Sequence, residues 1–468
     1  MTFIDLKNLS FSYGESEKNA LSNINLEVKK GEVVLLCGAS GCGKSTLTQV
    51  INGIIPEHRE GKLTGDIYIN GNDVKQVSAR EKSKYIGSVF QNPKSQFFHL
   101  NTTDELFFGA ANQLVPLEEM EKRLVRIAKE FNIEHLVNRN IFMLSGGEKQ
   151  RIACASVAMS QPEIYILDEP SANLDEYSVE KLKETLALLK SKGATIIVAE
   201  HRLYYMLEIC DTVLYMKEGE IKNRYTRDEF MTISQEKRKE MGLRSFYYTK
   251  SSNLNINSES SNDCINIENL VIKYGDTVVQ NIEHLTLPKH KIVAIVGENG
   301  VGKSSFVRAF TGLHKTKNAL IDGKPLKARV QQKESFMVMQ DVNSQLYCES
   351  AIDELISLTD ESDEVIKEAR LVLDKLNLLP YENEHPMVLS GGQKQRLAIA
   401  TALFLNKRYI IFDEPTSGLD YDNMIRVSEI LKELKEKVEC LLVITHDTEL
   451  IENCAEHVIK FTKEKERK

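Results

Sequence analysis

Short apolar runs of about five or six residues, separated by stretches of helical periodicity, set the rhythm of this chain. Residues 32–37 read as a buried strand that runs into a glycine-rich turn and then a helix from about Lys44. Residues 163–167 form a second apolar run closing on two acids, 177–190 carry apolar side chains at helical spacing, and 194–199 are strand-like again. Strands alternating with helices predict an α/β fold with a mostly parallel sheet flanked by helices. None of these runs, Val33–Cys37 and 409–412 included, approaches the ~20 apolar residues that a bilayer-spanning helix needs. A membrane role is therefore expected to come through a partner.

The rhythm is played twice. Gly38, Ala39, Ser40, Gly41, Cys42, Gly43, Lys44 and Ser45 recur in pattern as Gly297, Glu298, Asn299, Gly300, Val301, Gly302, Lys303 and Ser304. Ser145, Gly146, Gly147 and Glu148, each block preceded by a leucine, return as Ser390, Gly391, Gly392 and Gln393. Asp168 and Glu169 return as Asp413 and Glu414, the stretch 173–175 as 418–420, and His201 as His446. The later matches all stand 245 residues apart, whereas Lys44 and Lys303 stand 259 apart. Most of that difference falls opposite 54–65, which reads as a first-copy insertion on the surface. Between the copies, 251–262 is rich in Ser and Asn and poor in large apolar residues, as suits a flexible connector. The expected organisation is a first domain over 1–235, a polar linker over 236–262 and a second domain over 263–468.

Composition adds little except exclusions. With 42% hydrophobic and 27% charged residues, each half can bury a core and stay soluble, and 468 residues suit two domains. A net charge of −8 lacks the basic footprint of a nucleic-acid binder. The eight cysteines include no C-x-x-C pair, and no secretory leader precedes the first strand-like run. A reduced cytosolic setting is expected.

The repeated motifs carry chemistry. In the G-x-x-x-x-G-K-[ST] pattern, glycines let backbone N–H groups curl around phosphate oxygens at a helix N-terminus, and Lys44 or Lys303 bridges the terminal phosphates. Ser45 and Asp168, and likewise Ser304 and Asp413, can hold Mg²⁺. Glu169 and Glu414 can orient the attacking water or take its proton. His201 and His446, each after an apolar strand, can reach the γ-phosphate. A lone histidine there is commonly structural, but repetition at the shared offset favours the catalytic role. The Ser-Gly-Gly blocks open basic, apolar-periodic helices (149–158 and 394–402), giving each copy a second helix N-terminus suited to an anion.

This combination resembles the nucleotide-binding domains of ABC transporters over nearly the whole chain. The resemblance implies two tandem P-loop cassettes with ATP and Mg²⁺, each with an antiparallel β subdomain and a helical signature subdomain, coupling ATP hydrolysis to transmembrane transport. It implies head-to-tail pairing, with one ATP between residues 38–46, Gln91, Asp168, Glu169, His201 and the Ser390–Gln393 block. The other would lie between 297–305, Gln340, Asp413, Glu414, His446 and the Ser145–Glu148 block. Thr46 and Ser305 close the two P-loops, Gln91 and Gln340 join the metal sets, and Tyr13 and Tyr274 match the adenine-stacking aromatic. Glu148 stands where glutamine is commoner, and Arg202 follows His201 where Asp447 follows His446. Neither removes a metal ligand or base, so two competent sites are expected. Cys42, opposite Val301, either confers thiol sensitivity on one site or is merely a small residue.

Gln91-Asn-Pro-Lys-Ser-Gln-Phe97 and the segment 103–109, with Met339-Gln-Asp-Val-Asn-Ser-Gln-Leu346 and 351–355 in the second copy, resemble fused ATPases of energy-coupling-factor importers. The residues 199–203 and the insertion at 55–61 point the same way. That resemblance implies a transmembrane scaffold subunit and a membrane substrate-binding subunit as partners, with the chain at the cytoplasmic face of the membrane. Phe97, Phe98 and Leu346 are then candidate walls of a groove for a coupling helix. A fused sugar-importer ATPase and a soluble twin-cassette translation factor are the alternatives.

Overall fold

The computed structural model describes residues 2–14, 18–172, 174–249, 263–357, 359, 362–405 and 407–462. The expected connector, with its boundary near residue 262, and Asn173 lie outside them. Contacts divide the chain into units Met1–Tyr248 and Thr249–Lys468.

In the first unit, six strands form a sheet in the order Glu220–Thr226, Thr212–Lys217, Val33–Cys37, Thr195–Ala199, Ile164–Asp168, Ile86–Val89. All neighbours are parallel except the antiparallel pair at the Glu220–Thr226 edge. The central strands are apolar on both faces because both faces are covered. Val33, Leu35 and Cys37 face a core built with the helices, while Val34 and Leu36 face a core shared with Phe11, Leu26 and Leu47. The latter core lies under an antiparallel sheet ordered Leu21–Lys29, Thr2–Tyr13, Gly61–Ile69, Asn72–Asp73. On the other face, helices Thr102–Asn112 and Leu117–Glu130 pack with each other and with Gly146–Met159 to form the helical subdomain.

The second unit repeats the plan with five parallel strands in the order Ser335–Val338, Tyr409–Asp413, Cys440–Ile444, Ile292–Val296, His457–Lys460. Its antiparallel sheet is ordered Thr277–Pro288, Cys264–Tyr274, Leu320–Ile321, Lys324–Pro325. Both cassettes thus have the α/β architecture, with the antiparallel and helical subdomains expected.

Two boundaries differ from the sequence reading. The first unit does not stop at 235. Helix Gln235–Glu240 continues into a segment whose Met241, Leu243 and Phe246 are buried in the first unit's core. Burying each such side chain is worth about 1.5–3 kcal/mol, enough to hold a segment that the charged run 235–240 made look like linker. Arg238 donates to Leu243 O at 2.6 Å, Tyr215 donates to Met241 O at 3.2 Å, and Tyr248 donates to Glu176 at 3.2 Å. The insertion at 54–65 is likewise only partly surface loop. Residues 61–64 extend a strand that pairs Gly61 with Tyr13 and Leu63 with Phe11, where the second unit pairs Leu320 and Ile321 and adds an isolated bridge between Lys317 and Val271.

Candidate functional site

The carboxyl ends of adjacent parallel strands gather the site, as α/β sheets place ligand sites where loops diverge from strand ends. After Val33–Cys37 the chain turns through Gly38, Gly41 and Gly43, all at positive φ, into helix Lys44–Ile51. Gly43 needs to be glycine: its φ is 105°, and a Cβ there would lie 2.8 Å from the Ala20 carbonyl. Gly302 is the same corner of the second turn, at φ 96°. The buried Lys44 ammonium lies inside the loop, donating to Gly38 O at 2.9 Å and Ala39 O at 3.1 Å. Lys303 does the same with Gly297 O at 2.6 Å and Glu298 O at 2.9 Å.

The neighbouring strands supply the acids and histidine. Ser45 donates to Asp168 at 3.0 Å, and Ser304 to Asp413 at 3.0 Å. Burial raises both aspartate pKa values, against the pull of the serine hydroxyl and the nearby lysine. A hydroxyl and a carboxylate in contact are hard oxygen donors that suit Mg²⁺, an ion that takes one or two protein ligands and completes its shell with phosphates and water. Among the described residues no cluster of three or more His, Cys, Asp or Glu forms a metal cage.

Glu169 and Glu414 follow their aspartates in left-handed backbone, at φ 43° and 53°. For a non-glycine residue this costs about 1 kcal/mol or more. The turn is fixed because each N–H donates to the adjacent strand end, Glu169 to Ala199 O at 2.8 Å and Glu414 to Ile444 O at 2.9 Å. It leaves each carboxylate beside the histidine: His201 Nε2 is 3.5 Å from Glu169 and 3.3 Å from Lys44 Nζ. His446 Nε2 is 3.7 Å from Glu414 and 3.2 Å from Lys303 Nζ. Lysine can only donate, so His201 Nε2 accepts from Lys44. Burial, then Lys44 and Arg244, push the His201 pKa well down, which keeps that imidazole neutral.

Gln91 completes the first cluster, donating to Glu169 at 2.6 Å. The second differs. Gln340 is exposed beyond its strand, while Glu414 accepts from Thr445 Oγ1 and His446 N–H, both at 3.3 Å, and Asn299 lies 3.2 Å from His446.

Ser145 and Ser390 cap helices Gly146–Met159 and Gly391–Phe404. Ser145 N–H donates to Glu148 at 2.7 Å and Ser390 N–H to Gln393 at 2.8 Å, so both close a capping box. Glu148 therefore preserves the local structure, adding a bond from Ser145 Oγ at 2.8 Å. Burial would raise the Glu148 pKa, but these Ser145 hydrogen bonds outweigh it and the pKa is lowered. Gly147 allows close approach, since a Cβ there would lie 2.0 Å from Ser178 Oγ. Asp175 and Asp420 cap the next helices, accepting from Ser178 N–H and Asn423 N–H. Tyr13 is half-exposed and within 3.0 Å of Thr46 Oγ1, and Tyr274 is half-exposed beside His314. Cys42 is buried like Val301, with its Sγ 3.9 Å from the Lys44 ammonium.

Sequence reasoning missed the device behind the glutamines. Gln96 accepts from Phe90 N–H at 3.2 Å and Gln345 from Met339 N–H at 2.9 Å, folding each following loop back on its strand. Buried Glu105 then accepts from Phe98 and His99 N–H, both at 2.9 Å, and buried Glu354 accepts from Tyr347 and Cys348 N–H. The repeated glutamine and glutamate, each pair 249 residues apart, were the available signal. Glu105→Ala would orphan two N–H groups and is expected to cost about 2 kcal/mol, a fall of roughly 6 °C in melting temperature for a unit this size. An unchanged thermal unfolding curve would contradict the anchoring role.

These anchored loops also correct one candidate. Phe98 is 74% exposed, but Leu346 is only 6% exposed and belongs to the second unit's core, while Tyr347 beside it is 79% exposed. Phe97 packs partly buried against the first core.

A glycine-rich turn closing on a lysine, a hydroxyl–carboxylate pair and a glutamate–histidine pair, each at a strand end and each built twice, are the features of a tandem P-loop ATPase. The profile of the ABC transporter family matches residues 21–172 and 280–417. A provisionally named ABC transporter ATP-binding protein of Treponema denticola is 41% identical over 97% of this chain and 94% of its own length. One from Methanosarcina acetivorans is 32% identical over 98% and 88%. A chain of ribosome-bound archaeal Pelota and ABCE1 is similar in fold, with TM-score 0.69 and 23% identity over 98% of this chain and 76% of that one. The chain belongs to the ABC transporter ATP-binding family and is an ATPase.

Proposed function

We propose that the chain is the motor of an energy-coupling-factor importer for a vitamin, vitamin precursor or metal ion. In this reading each cassette's P-loop binds one ATP. The observation that carries it is the pair of anchored loops that follow Gln91 and Gln340, each holding an aromatic residue outward, Phe98 in one and Tyr347 in the other. Exposed apolar residues on a fixed backbone suit an apolar helix of a membrane scaffold. Among the described residues no helix is long and apolar enough to cross a membrane, so the translocation path would belong to that scaffold and a substrate-binding subunit.

At each site the P-loop N–H groups and lysine bind the phosphates. Ser45 with Asp168, and Ser304 with Asp413, would hold Mg²⁺, which supplies charge neutralisation when bound. Glu169 or Glu414 orients water and takes its proton. His201 or His446 contacts the γ-phosphate, and because Gln91 bonds to Glu169, movement of the Phe98 loop would reach the base directly.

Phe98→Asp with Tyr347→Asp is expected to abolish co-purification with the membrane scaffold while basal ATPase stays within about twofold, because the altered groups do not touch the nucleotide. Retention of the complex would refute docking at these loops. Recovery with ribosomal particles instead of membrane proteins would favour the soluble translation-factor alternative. Scaffold capture without any small substrate-binding membrane subunit would favour the fused sugar-importer alternative.

A further inference from the structure

The two histidines are held by different residues. In the first unit Glu200 is almost fully buried, and its carboxylate accepts four hydrogen bonds. Oε1 accepts from His201 N–H at 2.7 Å and Arg202 N–H at 3.1 Å. Oε2 accepts from Ser171 N–H at 3.2 Å and Tyr205 O–H at 2.8 Å. One side chain therefore ties the turn carrying His201 to the turn that follows Glu169. A buried carboxylate is tolerable only with such a set of donors, and charge-assisted bonds of this kind are the stronger ones.

In the second unit the matching positions are Thr416, Thr445 and Asp447, each 245 residues after Ser171, Glu200 and Arg202. Asp447 accepts from Thr416 O–H at 2.6 Å and donates its N–H to Thr445 Oγ1 at 3.0 Å. Thr445 in turn donates to Glu414 at 3.3 Å. The same two turns are tied, but the carboxylate stands after the histidine rather than before it. Arg202, in the place of Asp447, reaches the Leu174 carbonyl at 2.8 Å.

We infer that Glu200 is the positioning residue of the first ATP site, holding His201 in register with Glu169, and that Asp447 with Thr445 is its counterpart in the second. The departure at Arg202 is thereby compensated from the other side of the histidine. The inference rests on the proposed role of His201 at the γ-phosphate.

The test is vanadate trapping of photoreactive 8-azido-ADP after turnover, with labelled peptides assigned to either cassette by mass spectrometry, alongside kcat and KM for ATP. Glu200→Ala is expected to lose first-cassette trapping by about tenfold or more, since small misplacement of a catalytic group is costly, with KM within about twofold. Glu200→Gln keeps the shape and one acceptor oxygen; it serves as the folded control and should lose trapping in the same direction. The transplant Ser171→Thr, Glu200→Thr, Arg202→Asp installs the second unit's arrangement and should recover trapping to within about threefold of wild type. Wild-type trapping in both Glu200 variants, or a loss that the transplant fails to recover, would overturn the inference. A wild-type chain that traps on neither cassette would instead strike the ATP-site reading beneath it.

Discussion

Glu169→Gln combined with Glu414→Gln is expected to lower steady-state phosphate release from ATP by about a hundredfold or more, the usual contribution of a general base. ATP binding should survive, because neither glutamate belongs to the phosphate cradle. Each carboxylate is held in left-handed backbone by a hydrogen bond to the adjacent strand end and sits 3.5 or 3.7 Å from the neighbouring histidine. An amide preserves that shape and one acceptor oxygen but cannot take a proton. Made singly, each change should remove about half of turnover if the sites act independently, and more if they are coupled. Undiminished turnover in the double variant would exclude both residues as bases.

Lys44→Ala and Lys303→Ala are expected to act earlier, on binding. Each ammonium lies within its P-loop, bonded to two loop carbonyls and beside the histidine. It is thus placed to exchange those partners for phosphate oxygens. Losing charge-assisted bonds should cost about 2 kcal/mol or more, roughly thirtyfold in Kd. The check is ATP titration of each variant, and unchanged affinity would contradict the cradle assignment.

The proposed catalytic frame was legible in sequence because its chemistry calls for particular residue types: glycines at positive φ, a lysine, a hydroxyl and paired acids closing apolar strands. The parallel sheet followed from apolar runs buried on both faces, and the capping boxes from Ser-Gly-Gly followed by Glu or Gln. What sequence did not reveal depends on tertiary partners. The left-handed turn at Glu169 exists because Ala199 O is waiting on the next strand. Phe97-Phe98 and Leu346-Tyr347 each pair one inward with one outward residue, and register decides which faces out. The segment 241–248 looked like linker because the charged run 235–240 leads into it, yet Met241, Leu243 and Phe246 find a core. Glu200 read as part of a family resemblance, and its proposed positioning role emerged only from four donors converging from two turns of chain.

The central claim is that this single chain carries two complete ATP sites. It is tested most directly by measuring ATP bound per chain, with Mg²⁺ present, for the Glu169→Gln, Glu414→Gln double variant at saturation. The account predicts two ATP per chain, falling toward one when either Lys44→Ala or Lys303→Ala is added and ATP is held about fivefold above the Kd of the unaltered sites, where a roughly thirtyfold weaker site stays mostly empty. A stoichiometry of one in the double variant, or no loss on removing either lysine, would contradict it.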